Sequence, residues 1–146
     1  MNTPNKKTKL LYFPAVVSLI VGLMIYIIFR ENTYISKIFE NYMDFSYLRH
    51  CARALESNFL KYYFPDFLWA LSLDFWMHII VSPKSRGSLA CSAVSGGFGV
   101  FYEVLQYTGV VAGTFDYADI VMYLSATLLV SAYYCTLISQ KKEKRK

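Results

Sequence analysis

Charge is scarce in this 146-residue sequence: Asp, Glu, Lys and Arg make up 17% of it, against 55% apolar residues. A solvated domain of this length carries charge at about a quarter of its positions, so a cytosolic enzyme with a wet surface is excluded. A disordered chain is excluded as well, because its apolar content would have to be low. Cysteine is scarce too. Cys51, Cys91 and Cys135 form no CxxC pair and no His/Cys ligand spacing, which excludes a disulfide-knit secreted domain. An odd count in apolar surroundings reads as buried thiols. No internal repeat occurs, and low-complexity sequence is confined to the last few residues.

What remains is a small polytopic membrane protein, and a mean hydropathy of +0.32 agrees with that. About 20 apolar residues in a helix cross a hydrocarbon core of about 30 Å. Residues 10–29 hold no charge at all and form a first expected span. The basic flank before it resembles that of a signal peptide, but the run is too long and no small-x-small cleavage site follows, so it reads as a retained span. Residues 64–81 form a second span, which contains Asp66, Asp74 and His78. Residues 88–107 form a third, interrupted by Glu103 and Gln106, and residues of about 118–139 a fourth. The expected fold is therefore an all-α integral membrane bundle of four transmembrane helices, a single domain over 1–146 with a basic tail at 140–146. Between the first two spans, Ile35, Ile38, Phe39, Tyr42, Leu48, Cys51, Ala52, Leu55 and Phe59 recur at helical spacing. Residues 30–63 are thus expected to form an interfacial amphipathic helical segment.

The net charge of +5 lies mostly at the two ends, where lysines flank apolar spans. Such clusters anchor helix ends against anionic lipid, and with no basic stripe interleaved with aromatics, nucleic acid is not an expected partner. With the N-terminus inside, ten basic residues fall on the inner side and five on the outer, all five of them in the stretch 30–63. The positive-inside rule then puts both termini in the cytoplasm.

Ionisable groups within spans are costly, so each needs a reason. In this orientation Asp66, Glu103, Gln106, Asp116 and Asp119 all lie near the outer surface, contributed by three spans. Asp74 and His78 continue the face of Asp66 in steps of four, Asp74 lying about 12 Å deeper at 1.5 Å per residue. The seven residues suggest an acidic cleft open to the outside, with a carboxylate and an imidazole at its buried end. Ser92, Gly96, Gly99, Glu103 and Gln106 share one face of the third span, whose small residues admit a close helix neighbour. Plainer roles stand beside these. Asp116 or Asp119 suits an N-cap, Asp66 after Pro65 a helix start, Glu103 a snorkelling position, and His78 a hydrogen-bonded core.

The run Phe101-Tyr102-Glu103-Val104-Leu105-Gln106, followed by Gly113-Thr114-Phe115-Asp116-Tyr117-Ala118-Asp119, resembles the E-x-x-Q and D-x-x-D motif pair of the VanZ-like membrane proteins. Phe64-Pro65-Asp66-Phe67-Leu68-Trp69-Ala70 resembles the P-D-x-L-W start of a span in small relatives. The resemblance covers roughly residues 60–137. Thr114 stands where members often have arginine, Tyr123 where they often have Asn, and Ala126 where they often have Gly. The resemblance implies a bacterial cytoplasmic-membrane protein affecting sensitivity to glycopeptides such as teicoplanin, and no established reaction. Its expected partners are membrane lipids and a lipid-linked envelope precursor or glycopeptide, with a homo-oligomer open. No cofactor or metal is expected, and a non-enzymatic binding role leads. The alternatives are a metal-assisted enzyme acting on a phospholipid-like substrate, for which clustered carboxylates supply oxygen ligands, and a small proton-coupled transporter.

Overall fold

A computed structural model describes the backbone of residues 6–31, 33–81 and 85–143, with side chains from 10 to 31, 33 to 81 and 87 to 139. All described regular elements are helical: α1 (Lys6–Phe29), α2 (Tyr34–Glu40), α3 (Ser46–Ala52), α4 (Phe64–Val81), α5 (Ser85–Tyr107) and α6 (Tyr117–Glu143). Four stretches are long and apolar enough to cross a membrane: Leu10–Phe29, Phe59–Val81, Gly87–Tyr107 and Tyr117–Ser139. Side chains of Lys6, Lys7, Lys9, Lys84, Arg86 and the basic tail, on which the orientation argument leans, lie outside the described residues.

The second long helix begins earlier than expected. Pro65 after a polar-aromatic stretch reads as a helix start, yet the chain is already helical from Phe59, through one wide turn at Phe59–Tyr63 in which the Phe64 amide reaches back to the Phe59 carbonyl. The reason is a missing donor. In a continuous α-helix the Lys61 carbonyl would accept from residue 65, and Pro65 has no N–H. The turn widens into π geometry, and Arg30 at the end of α1 supplies the donor: its Nε gives a 3.1 Å bond to the Lys61 carbonyl and its Nη2 a 3.3 Å bond to that of Tyr62. Arg30 also lies over the rings of Tyr26 and Tyr62. An arginine that closes the first apolar run therefore clamps α1 to the start of α4.

Helix α4 is the hub, packing against α1, α5 and α6. Leu11 and Ala15 of α1, Phe75 and Ile79 of α4, and Val130 and Tyr134 of α6 make the apolar core. Close approach uses small residues: a Cβ at Gly99 of α5 would fall 2.5 Å from the Tyr123 ring of α6. Large apolar side chains cover the outside, among them Phe13, Ile20, Ile80, Phe98 and Leu128. In water that surface would be an aggregation liability, whereas hydrocarbon accepts it without cost.

Residues 33–63 fold over one end of the bundle as α2, α3, a short 3₁₀ turn at Arg53–Leu55 and the wide turn. Arg49 holds this cap together. Its Nη2 donates to the Ile27 carbonyl, one of the orphan carbonyls in the last turn of α1, and to Ser36 Oγ, both at 3.0 Å. It also pairs with Glu40 at 2.6 Å. That hydrogen bond, and then one from Ser36 Oγ, hold the Glu40 carboxyl below its usual range. The backbone N–H of Ser46 does the same for Asp44.

Candidate functional site

The seven side chains singled out in the sequence fall into two groups at different levels of the bundle. Asp66, Glu103, Gln106, Asp116 and Asp119 lie at the capped end. Glu103 comes from the last turns of α5 and is fully buried, at 1% exposure. Its Oε2 accepts the backbone N–H of Asp116 at 3.2 Å, which ties the loop after α5 back onto the helix. Asp116 caps α6, its Oδ1 accepting the Ala118 amide at 2.8 Å, while its Oδ2 takes the Tyr63 hydroxyl at 3.1 Å. The capping role thus falls to Asp116 and not to Asp119.

Gln106 lies against the loop glycine at 113. Gly113 has a φ of 151°, and a Cβ there would fall 2.5 Å from Gln106 Nε2. Both the backbone conformation and the amide above it demand glycine. Gln106 therefore positions the loop that delivers Asp116.

Asp119 differs from its neighbours. Its Oδ1 is buried and has no hydrogen-bond partner among the described residues. Asp66, Glu103 and Asp116 are all close enough to act on it electrostatically, and so, with the opposite sign, is Arg30. Tyr123, one turn on, feels Asp66, Glu103 and Asp119 in the same way while its ring lies on Gly99. Carboxylates from α4, α5 and α6 thus lie within electrostatic reach of one another, and one of them keeps an unpaired oxygen.

Asp74 and His78 belong to a second group, sealed within the bundle with no exposure. Sequence spacing places them beneath the acids as the deep end of one cleft, whereas here their bonds go sideways to α5. Asp74 Oδ2 accepts from Ser92 Oγ at 2.7 Å and Oδ1 from Ser95 Oγ at 2.6 Å. His78 Nδ1 faces the Asp74 carbonyl at 2.9 Å and Asp74 Oδ1 at 3.3 Å. Both are acceptors, so we assign the imidazole proton to Nδ1, leaving Nε2 to accept from Ser88 Oγ at 2.8 Å. Ser131 of α6 extends the chain to Ser88 at 3.3 Å. The His78 ring also packs on Tyr134, with centroids 4.6 Å apart.

The order Ser88, His78, Asp74 repeats the bonding order of a hydrolase triad. All three are fully buried, so no substrate atom reaches the serine in this arrangement. Asp74, His78 and Cys91 also offer ligand atoms within 4.8 Å of one another. An ion there would displace the serine bonds on Asp74, so the hydrogen-bonded arrangement describes these residues best.

Sequence reasoning missed Ser88, Ser95 and Ser131 as partners of Asp74 and His78, and it missed Arg30 and Tyr63. The signal for the serines was present: Ser88, Ser92 and Ser95 recur at steps of four and three on one face of α5.

Compared with protein-family models, curated proteins and solved structures, the chain has no match in any of the three.

Proposed function

We propose that this chain is a VanZ-like protein of a bacterial cytoplasmic membrane, with both termini in the cytoplasm and the capped end of the bundle outside. Its carboxylate cluster binds a lipid-linked or cationic amphipathic envelope ligand and so alters sensitivity to envelope-active compounds such as glycopeptides. The observation that carries the reading is that Asp66, Glu103 and Asp116 lie within electrostatic reach of Asp119, whose buried Oδ1 is unpaired. Like charges held together repel, and a buried acceptor without a donor costs roughly 1–3 kcal/mol. A ligand that brings a positive or donating group offsets both costs. Asp119 makes the direct contact, buried Glu103 adds negative charge behind it, Asp66 lines the mouth, and Asp116 and Gln106 hold the loop.

The resemblance adds the D-x-x-D and E-x-x-Q spacing, and one departure from it has a counterpart here. Thr114 replaces the arginine common among members, and Arg30 lines the same hollow as Thr114. This chain brings its guanidinium from α1 instead of from the loop.

The test is native mass spectrometry of the detergent-purified protein, wild type against Glu103→Gln with Asp119→Asn. A defined ligand mass kept by the wild type and lost in the double variant is the expected result. Failure of the double variant to lose any mass that the wild type keeps, or bare protein in both, refutes the reading.

A further inference from the structure

The hollow at the capped end is not lined by the carboxylate cluster. It has a volume of about 720 Å³ and lies between the end of α1, the cap and the loop after α5. Four of its side chains are basic, Arg30, Arg49, Arg53 and Lys61, against two acids, Glu31 and Glu56. Glu56 is already taken up by Lys61 at 2.8 Å, which leaves it little charge to offer the arginines. Arg49 pairs with Glu40, yet its Nε is buried with no hydrogen-bond partner among the described residues. Arg53 is exposed and makes no ion pair among them.

We propose that this hollow binds a phosphate-bearing anionic group, such as the headgroup of an anionic phospholipid at the membrane surface. The chemistry is a match of geometry and sign. Guanidinium groups present forked donors suited to phosphate oxygens. Here an unpaired Arg53 lines a hollow of headgroup size together with Arg49, whose buried Nε has no partner among the described residues. Tyr62 and Phe29 in the wall, and exposed Tyr34 and Tyr47 on the cap, give the aromatic surroundings of an interface. The site rests on the membrane reading above but not on the carboxylate ligand, because it uses different side chains.

The test is retention of lipid by the full-length protein in nanodiscs of equal phosphatidylglycerol and phosphatidylcholine, read by native mass spectrometry. Wild type is expected to keep phosphatidylglycerol in preference to phosphatidylcholine. Arg53→Gln is expected to lower that retention about tenfold, the scale of one charge-assisted hydrogen bond, and Arg53→Lys to restore most of it. Adding inorganic phosphate separates the two sources of the chemistry. Displacement of the lipid by millimolar phosphate assigns the hollow to free phosphate, and no displacement assigns it to the lipid head. Equal retention of both lipids without any effect of phosphate overturns the proposal, as does retention that Arg53→Gln leaves unchanged. Glu103→Gln with Asp119→Asn is expected to leave phosphatidylglycerol in place, so failure of one site is distinguishable from failure of the other.

Discussion

Two groups of polar side chains are carried by the same three helices, and they treat their polar atoms in opposite ways. Around Asp74 and His78 each carboxylate oxygen and each ring nitrogen has a partner, supplied by three serines and a backbone carbonyl. Around Asp119 three other acids crowd in, and one buried oxygen goes without. A satisfied network specifies how helices meet, because any other rotation would strand its donors and acceptors. An unsatisfied one spends stability, and chains retain such spots where something else completes them. The deeper group is therefore satisfied within the bundle, and the group at the capped end is the one with a buried oxygen left to pair.

Substitutions sharpen this contrast. The largest effect is expected from Asp74→Ala, which strips Ser92 Oγ of its acceptor, takes the carboxylate from Ser95 and His78 Nδ1, and costs about 3 kcal/mol. Asp119→Asn removes repulsion from three acids against attraction from Arg30 alone, so it leaves the melting temperature level or raises it. Thermal unfolding of both variants in detergent checks the pair, and equal losses would erase the distinction between the two groups. Ser88→Ala comes next, at about 1 kcal/mol, the scale of one interhelical hydrogen bond between spans. A melting curve identical to wild type would show that the His78 end of the network does not hold α5. The smallest effect concerns the cap. Arg49 and Ser36 hold the Glu40 carboxyl below its ordinary value of 4.5, so the pair adds stability above that pH and loses it as pH falls. Glu40→Gln should lower stability slightly at neutral pH, match wild type in acid, and so flatten the acid limb of a stability-against-pH curve. An unchanged acid limb would show that the pair plays no part.

Much of the helical layout was legible because a long uncharged run is stable in lipid and costly to leave in water. Residues 10–29 and the apolar part of α6 announce themselves by composition alone. The start of the second long helix did not, since Pro65 carries the same local signal whether it opens a helix or interrupts one. What decides is the distant Arg30, whose donors make the interruption tolerable. The site divides similarly. Spacing put Glu103 and Gln106 on the small-residue face of α5, and Gly96 and Gly99 of that face do meet Thr127 and Tyr123 of α6. Spacing also put Asp66, Asp74 and His78 on one face of α4, but a face is wide enough to meet different neighbours at different heights. Which serines of α5 lie opposite Asp74 depends on how the two helices cross, and periodicity within one helix holds no information about that.

The clamp from Arg30 to the wide turn has a consequence for how the chain is assembled. Helix α1 finds its main partner in α4, so a chain that inserts as it is made leaves α1 alone in the lipid while the cap is synthesised. Its uncharged run suits that wait. Helix α4, with Asp66, Asp74 and His78, is poorly fitted to enter lipid unaccompanied. The Arg30 clamp on the Lys61 and Tyr62 carbonyls would then close only when the start of α4 docks on α1, and would hold the two helices in register from that point.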